Sequence, residues 1–454
     1  MVRSANLTVL HIVYSYPPDP PGGTEVYVHE LCHHLRERGV TSVIVAPGRA
    51  DETHVIDGVR VRRFAYGGKT SLEDLYGTGD ALAADAFERI LAEETPDLVH
   101  QHALTPACSV EVAERIKASG RPLVFTYHTP TVSCVRGTLL RWGREVCDGR
   151  LDTAACSACL LDAHGVSGGM GRVVSAVGSV VGTGLAAVGA AGGAFTALRI
   201  PGLVLRQHDA LRRLFALADV VVAPAPWVRD LLIGNGVTSD RIVLSRHGVS
   251  AEATVRPRAR PDRSANAALS LVHLGRMDAT KGTGLLLDAM ARCPDAAIEL
   301  DIYGVSQDTG SQSLLETLET QGRRDPRVRF LAPIPHDQVV KTLTGYDAVV
   351  VPSQWLETGP LVVLEAFAAG VPVIGSDLGG IAEKVRHGVD GMLVRPFDSA
   401  ERWADVLTRA ADEPHTIRDL SRNVRRPRPV DAVADEMLSL YGRLTSRRMS
   451  IAPA

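Results

Sequence analysis

The 454-residue sequence has almost no excess charge of either sign: 49 Lys and Arg stand against 52 Asp and Glu, a formal net charge of -3. With no overall positive field there is nothing to gather nucleic acid from solution, so no nucleic-acid partner is expected. Also missing is a small-residue cleavage site near the N-terminus. The short apolar run in MVRSANLTVLHIVYSYPPDPPGG breaks into prolines and reads as a first strand rather than a signal peptide, so the expected compartment is the cytoplasm. What remains, 45% hydrophobic and 22% charged residues, is the composition of a soluble globular enzyme. The length exceeds one core and suggests two large domains.

Charge is absent altogether from Val173 to Leu198, VVSAVGSVVGTGLAAVGAAGGAFTAL. A helix of that length would cross a bilayer, but Gly, Ala, Ser and Val transfer weakly to lipid. The expectation is a mobile or surface-associating helical hairpin, or plain buried packing, rather than a span. Gly182-Thr-Gly184-Leu-Ala-Ala187 imitates a dinucleotide fingerprint. It lacks a strand before it and an acid about 20 residues on, so it is read as a chance match.

Short β-branched runs alternate with helical patterns along the chain: LTVLHIVY, TSVIVA, DLVH, PLVFTY and DVVVAP, then LSLVHLG, IELDIYG, VRFLAP, DAVVVPS, VPVIGS and GMLVRP. Such alternation predicts parallel sheets flanked by helices, an α/β fold of two Rossmann-like doubly wound domains facing each other across a cleft. The first would span 1–250, with an insertion over about 134–200. A Pro-, Ala- and Arg-rich linker follows at 251–268, then the second domain at 269–430. A C-terminal helix and tail at 431–454 would return to the first domain.

Sheets of this kind hold ligands at strand-to-helix turns. After the first strand come Gly22 and Gly23 ahead of a helix opening with Thr24 and Glu25; bare backbone there can approach a phosphate or sugar, or simply make a tight loop. After LSLVHL come Gly275-Arg276 and, five residues on, Lys281-Gly282. Two cations at a first-strand terminus suit a diphosphate, the alternative being a solvated basic loop. In ETGPLVVLE two acids, Glu357 and Glu365, bracket Thr358, Gly359, Pro360 and the apolar start of a helix. Pro360 favours helix initiation, and the amides of Leu361 and Val362 would offer an anion site. Two carboxylates at different depths can accept hydroxyls from two sugars of one ligand; helix-end capping explains Glu357 fairly well and Glu365 poorly.

Seven cysteines occur, four of them, Cys134, Cys147, Cys156 and Cys159, as C-x12-C-x8-C-x2-C. A reducing compartment disfavours disulfides, and the pattern suits structural zinc, with an iron–sulfur cluster or unligated thiols as the alternatives. Cys32, Cys108 and Cys293 lie in apolar or helical contexts and are expected in the core.

Taken together, PSQWLETGPLVVLEAFAAGVPVIGSDLGG, GRMDATKG, PPGGTEVYVHELCHHLRERG, DLVHQH and ADVVVAPAPWVRDLLIGNGV resemble the retaining glycosyltransferases of family 4, with the GT-B fold. The resemblance covers the chain apart from about 134–200. It implies a hexosyltransferase with a nucleotide-sugar donor bound mainly by the second domain. Glu365 would hold the ribose hydroxyls and Glu357 the donor sugar, with Arg276 and Lys281 on the diphosphate. Gly22 and Gly23 would lie near the phosphate, and His128, in VFTYHTP, beside the transferred sugar. The leaving phosphate would assist the incoming hydroxyl, so no protein nucleophile and no catalytic cofactor is required. The acceptor is a hydroxyl of unknown identity, lipid-linked if the uncharged stretch and the basic segments Arg422 to Arg428 and Arg443 to Arg448 hold the chain peripherally at a cytoplasmic membrane face. Two departures stand out. His247-Gly248-Val249 replaces the usual Asn-Gly-Val, and no Asp-x-Asp motif occupies the manganese position of the other transferase fold. A scaffold that kept the fold and lost catalysis, and a phosphorylase-like enzyme needing a pyridoxal lysine, are the competing readings.

Overall fold

The computed structural model describes residues 7–66, 71–77, 79–166, 168–187, 193–250 and 267–449. The expected linker lies, up to residue 266, outside the described residues. Two compact units emerge: one of the residues up to Pro18, Thr24–Arg246 and from Ala434 onward, the other of Asp19–Gly23 and His247–Val433.

In the first unit the strands are β1 (Thr8–Ile12), β2 (Thr41–Gly48), β3 (Glu52–Ile56), β4 (Val59–Ala65), β5 (Leu98–Gln101), β6 (Leu123–Thr126), β7 (Leu140–Arg141), β8 (Glu145–Val146), β9 (Val220–Ala223) and β10 (Ile242–Leu244). Eight of them form one sheet in the order β10-β9-β6-β5-β1-β2-β4-β3, parallel except for the β3–β4 hairpin at its edge. The interior strands β5, β6 and β9 are buried throughout, as expected of β-branched runs covered on both faces. From β1 the chain winds outward through β2 and β4, then restarts at β5 on the other side of β1. The topological switch point therefore lies between β1 and β5.

The insertion adds the small β7–β8 hairpin and the helix Thr153–Ala163. After it come the long helices Gly168–Ala187 and Gly193–Leu217, which pack against each other. At Gly178 the approach is close, since a Cβ there would sit 2.5 Å from the Leu198 carbonyl oxygen. Small residues thus let two backbones meet. Gly182 to Ala187 run inside the first of these helices, so the imitation fingerprint is no strand–turn–helix. Among the described residues, no helix is long and apolar enough to cross a membrane.

The second unit holds β11 (Leu269–Arg276), β12 (Ile298–Val305), β13 (Val328–Leu331), β14 (Ala348–Val351), β15 (Val373–Ser376) and β16 (Gly391–Val394). They form an all-parallel sheet in the order β13-β12-β11-β14-β15-β16. One face packs on a core containing Leu286, Met290, Leu318 and the fully buried Trp403, the other on Val363, Phe367, Ile381 and Val385. Read from its own first strand the order is 3-2-1-4-5-6, the doubly wound arrangement, with the switch point between β11 and β14. The α/β expectation of two Rossmann-like parallel-sheet units therefore holds.

Candidate functional site

The switch point of the second unit brings together the two loops singled out in the sequence. Beyond β11, Asp278 caps a short 3-10 turn, Ala279–Lys281, by accepting from the Thr280 amide at 2.9 Å. The chain then turns through Gly282 with φ 74°. A Cβ at this glycine would lie 2.0 Å from the Pro352 carbonyl oxygen, so only glycine lets the β11 loop close on the end of β14. Lys281 is thereby aimed across the switch point. Its Nζ stands 2.7 Å from Glu357 Oε1 and 5.0 Å from the Trp355 ring centroid. Ser353 Oγ donates to the same carboxylate oxygen at 2.9 Å. Burial alone would push the Glu357 carboxyl up, but the Lys281 charge and the hydrogen bonds from Lys281 and Ser353 outweigh it and hold the carboxyl below its ordinary value.

Arg276, at the end of β11, donates from Nη1 to Gln307 Oε1 at 3.1 Å and lies 3.3 Å from Asp278 through Nη2. Its side chain is 38% exposed, so it is held yet reachable. Gln307 in turn donates to the Pro20 carbonyl at 3.1 Å, tying the Asp19–Gly23 segment to this unit. Within that segment Gly23 already begins the helix Gly23–Glu37, one residue earlier than the sequence pattern suggested. A Cβ at Gly23 would come 3.8 Å from Leu361 Cδ1, which sets the Gly22–Gly23 pair beside the start of the helix Leu361–Ala368. Pro360 is the residue before that helix, with φ -63°, and its carbonyl takes the Val363 amide at 3.2 Å, so the amides without an intrahelical acceptor are those of Leu361 and Val362.

Glu365 sits on the same helix with its side chain 12% exposed. Burial raises its carboxyl to about 7, and the His336 imidazole stands 3.5 Å away. The two acids of ETGPLVVLE thus differ in charge state: Glu357 is an ion-paired carboxylate, and Glu365 is poised near neutrality.

Three supports of this loop escaped the sequence reading. Gly380 donates its amide to the Glu357 carbonyl at 2.7 Å, and a Cβ on Gly380 would lie 2.6 Å from that oxygen. Gly379, at φ 49°, would bring a Cβ within 3.0 Å of Leu356 Cα. His247, buried, has Nδ1 3.2 Å from the Gly359 carbonyl oxygen. Burial, together with the charges of Lys384 and Arg428, lowers its imidazole to about 4 despite that hydrogen bond. A Cβ at Gly359 would meet His247 Nδ1 at 2.2 Å, so His247 leaves no room for a side chain at this glycine. The signal was the departure at His247, to which the sequence assigns no role.

His128 belongs to the first unit, two residues past β6 and close to that sheet's own switch point. It is buried; its Nε2 lies 3.0 Å from His102 Nδ1, and its ring centroid is 5.1 Å from that of Tyr27. In the same unit the four clustered cysteines are free and half-buried. Cys147 follows β8, and Cys156 and Cys159 share the helix Thr153–Ala163. Burial, then the thiols of Cys147, Cys134 and Cys159, push Cys156 up to about 12, and the Trp142 amide lies 3.4 Å from Cys159 Sγ. Sets of three ligand atoms within 4.8 Å of one another, among the described residues, include His11, His100 and His102 but none of the cysteines. Cys32, Cys108 and Cys293 are buried, as expected.

Residues 22–248 match the family described as glycosyl transferase 4-like domain, and residues 260–426 match glycosyl transferases group 1. The chain is 26% identical over 446 residues to a D-inositol 3-phosphate glycosyltransferase of Pseudarthrobacter chlorophenolicus, covering 93% of this chain and 90% of that one. It is 34% identical over 209 residues to the protein of the same name from Nocardia farcinica, a match that spans 43% of this chain and only 46% of the relative's length. Among solved structures it resembles Anabaena Alr3699/HepE in complex with UDP-glucose, with a TM-score of 0.59, 19% identity, and 98% and 100% of the two chains covered. The chain therefore belongs to the group 1 glycosyl transferases, its first part a glycosyl transferase 4-like domain and its whole a GT-B architecture of two Rossmann-like units.

Proposed function

We propose that the chain transfers a sugar, with retention of anomeric configuration, from a nucleoside-diphosphate sugar to an acceptor hydroxyl during glycan, glycolipid or glycosylated-metabolite synthesis. The observation that carries this reading is the convergence of Arg276, Lys281, Glu357 and the start of the helix Leu361–Ala368 at one switch point. Cations and a helix N-terminus suit a diphosphate, and carboxylates suit sugar hydroxyls. A structural relative solved with UDP-glucose supports a donor of this class. In this reading Arg276 and Lys281 bind the diphosphate, Glu365 the ribose and Glu357 the transferred sugar. Leu361 and its neighbours Thr358, Gly359 and Pro360 form the cradle, and Gly22 and Gly23 flank the phosphate. His128 assists at the sugar from the first unit, through its imidazole or its backbone carbonyl. Charge that grows on the leaving phosphate is met by fixed cations, and the phosphate itself guides the acceptor onto the same face.

Two accessory properties belong to the same proposal. Cys134, Cys147, Cys156 and Cys159 hold a structural zinc, which would draw together four half-buried thiols; Cys156, raised first by burial, is raised further by the other three. The helices Gly168–Ala187 and Gly193–Leu217 rest peripherally on an anionic membrane, where a lipid-linked acceptor would be met. Met170, Val173, Val177 and Phe195 are exposed on them, and no acidic residue occurs from Ala163 to His208.

The test is transfer itself. Purified protein is incubated with a panel of nucleoside-diphosphate sugars and of acceptors, including the inositol phosphate named by its relatives and lipid-linked alcohols. Products are read by mass spectrometry and their anomeric configuration by NMR. An inverted product would refute retention, and failure to bind or consume any nucleotide sugar would favour the non-catalytic scaffold.

A further inference from the structure

Three imidazoles of the first unit are joined ring to ring. His11 on β1 and His100 on β5 are register partners across the switch point, and His102 follows two residues later. His11 Nδ1 lies 3.2 Å from His102 Nε2, and His102 Nδ1 lies 3.0 Å from His128 Nε2. The chain His11–His102–His128 therefore runs from the sheet core outward to the residue assigned above to the transferred sugar. His11 and His100 are wholly buried and His102 nearly so. The donor atoms of His11, His100 and His102 are near enough for a metal, but both nitrogens of His100 and of His102 are already engaged. His100 joins Tyr441 through Nδ1 and Thr126 through Nε2, each at 2.7 Å, and both nitrogens of His102 face imidazoles.

Burial lowers His11 to about 3 and keeps His100 well below its ordinary value, so these two rings are neutral. A neutral imidazole has one N–H and one lone pair, and a chain of such rings can point in only two directions. If His128 donates from Nε2, His102 must donate from its own Nε2, and the His11 proton is left on Nε2. That atom is buried and has no hydrogen-bond partner among the described residues. If the chain runs the other way, His11 and His102 each donate from Nδ1, and what is left at His11 is a lone pair. A buried orphan N–H is the rarer and costlier of the two.

We propose that His102 and His11 are positioning residues that hold His128 in the tautomer protonated on Nδ1, its Nε2 lone pair committed to His102. His128 Nε2 then cannot take a proton without reversing both bonds behind it, so His128 serves as a donor or dipole rather than as a base at that nitrogen. This rests on the reading of His128 given above, and the measurement is chosen to be independent of it.

Protein labelled with 15N-histidine is studied by long-range 1H–15N correlation, the His128 signals being identified by their loss in His128→Gln. The expected result is Nδ1-protonated His128 in the unsubstituted protein, a shift towards Nε2 protonation in His102→Phe, and recovery in His102→Asn, whose side-chain amide can donate. Turnover should fall roughly tenfold or more in His102→Phe with donor KM little changed, and recover in His102→Asn. His128 protonated at Nε2 in the unsubstituted protein overturns the proposal, and so does an unchanged tautomer in a folded His102→Phe. Should His102→Phe not fold, the unsubstituted spectrum still decides. If instead His128→Ala retains full transfer, the role of His128 falls while the tautomer result stands.

Discussion

The Lys281 ammonium stands 2.7 Å from the Glu357 carboxylate, with the Trp355 ring 5.0 Å away. Two residues that the motif assigns to different parts of a ligand are thus one ion pair. Glu357 is 7% exposed, so removing Lys281 leaves a buried carboxylate uncompensated. Lys281→Ala should lower stability by about 3 kcal/mol, and adding Glu357→Gln should restore a good part of it. The sign with pH follows from the depressed carboxyl: the stabilisation is present above the ordinary value of 4.5 and is lost as pH falls through the lower folded value. Denaturant titrations of the single and double variants at pH 7 and at pH 4 check this; additive losses would show the pair to be energetically idle.

Arg276 is anchored by Gln307 and Asp278 but remains 38% exposed, so its removal should spare the fold and strike the reaction. A charge-assisted hydrogen bond to the departing diphosphate is worth about 1.5 to 3 kcal/mol, so Arg276→Ala should lose about ten- to a hundredfold in turnover. Leaving-group charge matures at the barrier, so kcat should fall more than donor affinity. Steady-state kinetics with the preferred donor read the split; a loss confined to KM would place Arg276 in ground-state binding alone.

The strands were legible where both faces are covered, because runs such as VVVA and AVVV have no other home. β3 and β4 were not, since VRVRRFA alternates arginine with apolar residues at a sheet edge, and β10 is only half-buried. In the site, Arg276, Lys281 and Glu357, which the structure brings to one switch point, were readable from their motif. Their supports were not, because His247 reaches Gly359 from 112 positions away and His11 reaches His102 from 91. Local spacing carries no trace of such pairings. DLVHQH carries the family likeness, but its spacing does not reveal that His100 and His102 face His11.

If the four clustered cysteines bind zinc, elemental analysis of purified protein should find about one metal per chain, absent from the Cys156→Ser/Cys159→Ser variant. Burial and the neighbouring thiols push Cys156 up, and a bound dication would favour its thiolate instead. The variant should lose thermal stability more than donor affinity. A metal-free preparation of undiminished stability and activity would remove the idea.

Membrane contact is tested by flotation with vesicles of phosphatidylglycerol and phosphatidylcholine. The acid-free stretch from Ala163 to His208 and the exposed Met170, Val173 and Val177 should carry the chain upward at low salt, and less so at high salt. Met170→Ser with Val173→Ser should abolish flotation while leaving transfer to a soluble acceptor unchanged. Protein that stays at the bottom at every salt concentration points to a soluble acceptor.

Glu365 and Glu357 should part company in both pH dependence and ligand binding. The folded Glu365 carboxyl is raised to about 7 from an ordinary 4.5, so between these values the folded chain holds a proton the unfolded chain has lost. The native state is therefore favoured most below 4.5, and that advantage fades as pH rises to about 7, by at most about 3 kcal/mol. Glu365→Gln should flatten this slope and gain stability on the alkaline side, the reverse of what Glu357 substitution does. With nucleoside diphosphate, Glu365→Ala should bind more weakly, because the ribose contact is gone whether or not a sugar is attached. Glu357→Ala should bind the diphosphate at least as well as the unsubstituted chain, since Lys281 is released from its 2.7 Å partner, while transfer collapses. Calorimetry with the nucleoside diphosphate separates the two, and equal weakening in both variants would overturn the division of labour assigned to the two acids.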